Sequence, residues 1–118
     1  MEIPVSSPEI RHLTEASFNK VILSADKAVV DFWAEWCGPC RRFAPVFEQL
    51  SIEFPDILFC KCNTDENQGI AQEFFIFSIP TTLFVKQGRV VHQISGAMTE
   101  EQFREVLIAV FAEAPSSP

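Results

Sequence analysis

Basic residues are scarce in this chain: nine Lys and Arg stand against 16 Asp and Glu, a formal charge of -7 over 118 residues. That surplus of negative charge repels phosphate backbones and anionic lipid surfaces, so neither nucleic acid nor a membrane is expected as a partner. Long apolar runs are missing as well. The strongest, Val29 to Trp36 and Leu107 to Ala112, fall far short of the ~20 residues that a bilayer span needs, and Asp31 and Glu35 interrupt the first. The N-terminal segment holds neither the charged region nor the apolar stretch of an export signal, which predicts a cytoplasmic protein. Glycine occurs four times and histidine twice. No glycine-rich phosphate loop or Ser/His/Asp set is found, and His12 and His92 are isolated. Internal repeats and low-complexity blocks are lacking too.

What the chain does have is apolar bulk: 47% hydrophobic residues, with 12 Phe and 2 Trp, suffice for one core and leave no room for a second domain. The expected organisation is a short N-terminal extension (1–9), one domain (10–113) and a frayed C-terminal tail (114–118). Ile10 to Leu13 reads as a strand, and Thr14 is placed to cap a helix on which Phe18, Val21 and Ile22 recur at helical spacing. Ala28 to Trp33 is β-branched and aromatic, apolar on both faces except at Asp31, as suits a central strand. Phe43, Val46, Phe47, Leu50 and Phe54 share one face of the next helix, with Pro39 in its first turn and Pro45 predicting a kink. Ile57 to Cys62 reads as a second central strand, and Asn67 to Phe74 as a short helix. Thr82 to Val85 and Val90 to Ser95 flank a Lys86-Gln87-Gly88-Arg89 turn, a hairpin signal. Thr99 and Gln102 form a capping box for a last helix carrying Phe103, Val106, Leu107, Val110 and Phe111. The order βαβαβα then ββα implies a mixed sheet with a parallel half, an antiparallel half and helices on both faces.

Four cysteines without an export signal argue for a reducing compartment, where a close pair is more often catalytic or metal-binding than a structural staple. Cys37 and Cys40 stand at the junction of a buried strand and a helix N-terminus, a spacing at which the sulfurs can bridge without distorting the backbone. Free N–H groups and the positive end of the helix dipole favour an anion there, so Cys37 is expected to be the attacking thiolate and Cys40, one turn inside, the shielded thiol. Asp31 in an apolar strand costs several kcal/mol if ionised without partners, so its pKa is expected to rise toward that of a general base.

The segment Val30-Asp31-Phe32-Trp33-Ala34-Glu35-Trp36-Cys37-Gly38-Pro39-Cys40 resembles the active-site segment of the thioredoxin family. The resemblance spans roughly residues 10 to 113 and takes in Pro45, Lys61, Ile79-Pro80-Thr81, Gly88 and Gly96. It implies the α/β thioredoxin fold, a five-stranded mixed β-sheet flanked by four α-helices. The activity it implies is a protein-disulfide reductase exchanging the Cys37/Cys40 dithiol with disulfides of target proteins through a mixed disulfide. An NADPH-dependent, flavin-containing thioredoxin reductase would restore the dithiol, with no bound cofactor, no metal and a monomeric chain. Gly38-Pro39 resembles the general reductants of the family rather than its oxidases and isomerases. By the same resemblance Asp31 takes the proton from Cys40, Lys61 is its charge partner, and Pro80 follows a cis peptide bond that exposes the backbone of Ile79 to a substrate strand. Trp36, Gly38, Pro39, Gly96 and Ala97 complete the expected contact surface.

Two features depart from the family pattern. Phe77 stands where a basic or polar residue is common, within the apolar run Phe74-Phe75-Ile76-Phe77, and is expected either to enlarge the docking surface for apolar target segments or to pack on Phe75. Cys60 and Cys62 alternate with Lys61 on one strand, so they share the opposite face and are expected to be buried and inert. Two other readings stay open on sequence: a binding module using the same surface, and an oxidase or isomerase of an oxidising lumen.

Overall fold

The computed structural model describes residues 9–112, so most of the expected extension and all of the expected tail lie outside the described residues. In chain order the elements are β1 (Ile10–His12), α1 (Phe18–Ser24), β2 (Lys27–Trp33), α2 (Gly38–Glu53), β3 (Leu58–Asn63), α3 (Gln68–Glu73), β4 (Thr81–Lys86), β5 (Arg89–Ser95) and α4 (Glu100–Phe111). The sheet runs β1-β3-β2-β4-β5. β1 and β2 lie parallel to β3, while β4 is antiparallel to both β2 and β5. This is the expected mixed sheet flanked by four helices. The central place of β2 follows from its composition, because Ala28 through Phe32 are buried on both faces and only a strand paired on both edges and covered on both faces can bury such a run.

Alternation along the strands sorts the core into two layers. Ala28, Val30, Phe32, Cys60, Cys62, Leu83 and Val85 join Phe18, Ile22 and Ile70 from the α1 and α3 side. Val29, Phe59 and Phe84 join Phe43, Phe47, Leu50, Phe103, Leu107 and Phe111 of α2 and α4 on the other. Because Val29 and Phe59 belong to the α2 layer, alternation puts Asp31 and Lys61 on that face, and Cys60 and Cys62 lie opposite Lys61 as the sequence predicts.

Local signals explain the ends. The capping box forms as expected, with Thr99 Oγ1 accepting from Gln102 N–H at 3.1 Å and Gln102 Oε1 accepting from Thr99 N–H at 3.0 Å. Gln87 and Gly88 close the β4–β5 hairpin with φ of 51° and 76°, the positive values that a two-residue turn matching strand twist requires. A Cβ at Gly88 would meet the carbonyl oxygen of Leu23 at 2.8 Å, so glycine is demanded there twice over. The α1 cap differs from expectation. The helix begins after Ser17, and the Thr14 carbonyl instead accepts from Ser17 and Phe18 in a preceding turn. The Ser17 hydroxyl bonds back to Thr14 N–H, so the capping chemistry is spent on closing that turn. α2 continues as a helix through Pro45.

Candidate functional site

Cys37 is the N-cap residue of α2, in extended conformation, with Gly38 and Pro39 forming the first turn and Cys40 inside it. The two sulfurs form a disulfide across a Cα separation of 5.2 Å. Cys37 Sγ accepts from the backbone N–H of Cys40 at 3.1 Å, so the first turn of α2 offers this sulfur both a donor and the positive end of a helix dipole. Each stabilises a thiolate more than a thiol. Cys37 Sγ also lies 3.7 Å from the carbonyl oxygen of Ile79, whose bond to Pro80 is cis. Exposure hardly separates the two cysteines, at 3% and 2%. What separates them is direction, since Cys37 lines a surface groove and Cys40 does not.

Below the pair, Trp33 packs with Cys37 and Cys40, and Val29 packs with the layer containing Phe43 and Phe47. Asp31 lies between Trp33 and Val29 on the same face of β2, which sets it beneath the turn of α2 from Cys40 to Phe43. It is fully buried and neither of its carboxylate oxygens has a hydrogen-bond partner in the protein. Burial pushes its pKa up to about 7, and Lys61 opposes the rise. The Lys61 ammonium is 3.9 Å from the carboxylate, one strand over in register, and stands 4.7 Å from the centre of the Trp33 ring. A cation–π contact of this kind helps hold the ammonium near the carboxylate.

The groove at Cys37 measures about 400 Å³. Trp36, Gly38 and Pro39 line it beside the cysteine; Thr64, Ile76, Phe77, Ser78 and Ile79 supply the rest. Pro80, next to Ile79 of this lining, is buried, and Gly96, with φ of 98°, donates its N–H to the Pro80 carbonyl at 2.8 Å. Gly96 and the exposed Ala97 therefore stand beside Pro80 without forming the groove lining. Phe77 is 89% exposed and Phe75, at φ of 55°, is 70% exposed, with their ring centres 6.3 Å apart. Phe77 thus pairs with the Phe75 ring and also lines the groove.

Sequence reasoning missed Asp65, which accepts from Trp36 Nε1 at 2.9 Å and so orients an indole that is 67% exposed. Asn63 Oδ1 accepts from the N–H groups of Asp65 and Glu66, fixing the loop that presents it. The signal was available: Asp65 follows the C-terminal end of a strand beside β2, where α/β sheets place their ligand-contacting loops. Cys60 and Cys62 lie buried in the opposite layer from the disulfide. Burial raises their pKa values to about 12 and about 11, which leaves them protonated and unreactive.

Residues 9–109 match the Thioredoxin family model. The chain is 49% identical over 87 residues to a thioredoxin of Chlorobaculum thiosulfatiphilum, covering 72% of this chain and 81% of that one. It is 41% identical over 96 residues to a thioredoxin of Haemophilus influenzae, covering 80% and 90% of the two chains. The solved structure of Malassezia sympodialis thioredoxin superposes with a TM-score of 0.81 at 31% identity, covering 92% of this chain and 96% of that one.

Proposed function

The chain belongs to the thioredoxin family and is a dithiol–disulfide oxidoreductase, and from that premise we propose that it is a general reductant of protein disulfides. The observation that carries this reading is the Cys37–Cys40 disulfide at the start of α2, with Cys37 opening on a largely apolar groove. In the reduced form the Cys37 thiolate attacks one sulfur of a target disulfide, breaking that bond and forming a mixed disulfide. Asp31 accepts the Cys40 proton. The Cys40 thiolate then attacks Cys37 Sγ, expels the target thiolate and closes the Cys37–Cys40 disulfide. Lys61 counters the charge that Asp31 carries after each proton release.

The docked target segment pairs with the exposed backbone of Ile79, ahead of Pro80, and lies across Trp36, Gly38, Pro39, Gly96 and Ala97. Phe77 extends that contact to apolar residues flanking the target disulfide. No bound cofactor is needed. Electrons return from NADPH through thioredoxin reductase, and the chain acts as a monomer in the cytoplasm, a compartment whose thiol poise suits a reductant with two further free cysteines.

The test is NADPH consumption in the presence of a thioredoxin reductase and a disulfide-containing protein, comparing wild type with Cys37→Ser and Cys40→Ser. Turnover by wild type alone is expected, with Cys40→Ser accumulating a covalent adduct to the target through Cys37. If several reductases give no turnover while dithiothreitol still opens the disulfide, the reductant reading is wrong. Persistence of a partner complex with the double Cys37→Ser, Cys40→Ser variant would instead identify a binding module.

A further inference from the structure

The sheet face beneath α2 carries three buried side chains whose polar atoms lack any hydrogen-bond partner: the Asp31 carboxylate, the Trp33 indole nitrogen and the Thr82 hydroxyl. Asp31 and Thr82 are directly opposite one another across the β2–β4 pair, and both are fully buried. Residues opposite in an antiparallel pair point to the same side, with Cβ atoms about 5 Å apart. Thr82 therefore flanks the carboxylate from β4 as Lys61 flanks it from β3. A hydroxyl buried without a partner is unfavourable, and valine has nearly the same shape without that penalty. What threonine adds over valine here is a donor beside the acid.

Resting on the proposed role of Asp31 as proton acceptor, we propose that Thr82 is a positioning residue for the resolving step. Its hydroxyl donates to the ionised carboxylate of Asp31, by rotation about χ1 or through one buried water, and holds it in the form that takes the Cys40 proton. Buried polar groups of this kind are satisfied within the protein or by an enclosed water, and three polar groups on one face suffice to bind one. The charged and titratable surroundings of Asp31 are few. β3 brings Lys61, α2 brings Cys40, packed with Trp33, β4 brings only the neutral Thr82, β2 itself adds the neutral Trp33 indole, and the remaining neighbours on this face, Val29, Phe43, Phe59 and Phe84, are apolar. With Lys61 unchanged, loss of the hydroxyl falls on the carboxylate alone.

The experiment titrates the Asp31 carboxyl carbon by ¹³C NMR in the oxidised protein, in wild type, Thr82→Val and Thr82→Ser, and follows the pH profile of target release from the mixed disulfide in the same three proteins. Thr82→Val is expected to move the titration midpoint up by about one unit, the size of one lost hydrogen bond to a charged group. The release profile should shift with it, slowing target release roughly tenfold at pH values below both midpoints. Thr82→Ser should stay close to wild type. In an Asp31→Asn background, Thr82→Val should leave the release profile unchanged. A midpoint unmoved by Thr82→Val, or moved as far by Thr82→Ser, overturns the proposal; a packing role alone would alter Tm without altering the midpoint. Because the titration needs no turnover, an intact midpoint shift in a protein that reduces no disulfide would condemn the reductant reading and leave the Asp31–Thr82 coupling standing.

Discussion

Four cysteines of one chemical type occupy two environments here, and the environment decides which can react. Cys37 has a helix N-terminus, a backbone donor and a groove; Cys60 and Cys62 have an apolar layer that raises their pKa values. After reduction of the disulfide, iodoacetamide at neutral pH should therefore modify Cys37 first, while Cys60 and Cys62 react only on unfolding; mass spectrometry of the time course checks this. Asp31 yields a prediction with a definite sign. Its folded pKa of about 7 lies above the unfolded value near 3.9, so between those pH values the folded state keeps a proton that the unfolded state has released. Its contribution to stability is thus lost as pH rises through that window, and above pH 7 the buried ionised form costs roughly a few kcal/mol. Asp31→Ala should raise stability at pH 8 by that order, with the gain shrinking toward pH 4, as read by urea denaturation at each pH. It should also slow target release, most above pH 7, where Asp31 is ionised and able to accept the Cys40 proton. Phe77, 89% exposed at the groove, tests docking. Phe77→Arg should raise KM several-fold for targets with apolar residues beside the disulfide and leave kcat unchanged, since it removes binding shared by ground and transition states. Equal KM values across a panel of targets would dismiss that role.

At the scale of elements, the starts of α2 and α4 answer to short-range signals, a capping cysteine and a capping box. The capping box at α4 was visible from two side chains three residues apart. Thr99→Ala should cost about 1 kcal/mol, seen as a lower urea midpoint with an unchanged slope. The α1 start was not readable in the same way, because Thr14 and Ser17 both offer capping oxygens and their mutual bond determines which backbone groups remain for the helix. The hairpin was legible from Gly88. The apolar run Phe74 to Phe77 leaves α3 through a left-handed cap, in which Phe75 at positive φ donates to the Gln72 carbonyl at 3.2 Å and Ile76 to the Ala71 carbonyl at 2.8 Å; the sequence shows no glycine there to mark it.

Across the whole molecule, one ring ties the larger core together. Phe103 of α4 stands within 5.3 to 6.3 Å, centre to centre, of Phe43, Phe47, Phe59 and Phe84, which belong to α2, β3 and β4. Phe103→Ala should cost roughly 3–5 kcal/mol, and because α2 leans on this ring, Tm should fall and amide exchange near Cys37 should rise together. An exchange increase confined to α4 would show that the active-site helix is held independently. The layer formed with α1 and α3 touches the opposite face of the same sheet, so the central β2 carries Asp31 on one side and Val30 and Phe32 on the other.

The sequence by itself determined the element order, the five-stranded mixed sheet, the pair at the start of α2, and the face of each central-strand residue, because periods of 3.6 and two are local properties. Alternation set Cys60 and Cys62 on the face opposite Lys61, while the pairing of Lys61 with Asp31 came from the family resemblance. Only the tertiary structure decided that Asp65 orients Trp36, that Phe77 meets Cys37 in one groove, and that Thr82 faces Asp31. A period fixes which side a residue faces but not which residue lies across from it; register arises when distant strands settle against a shared core, and a shift by two keeps every face while changing every partner.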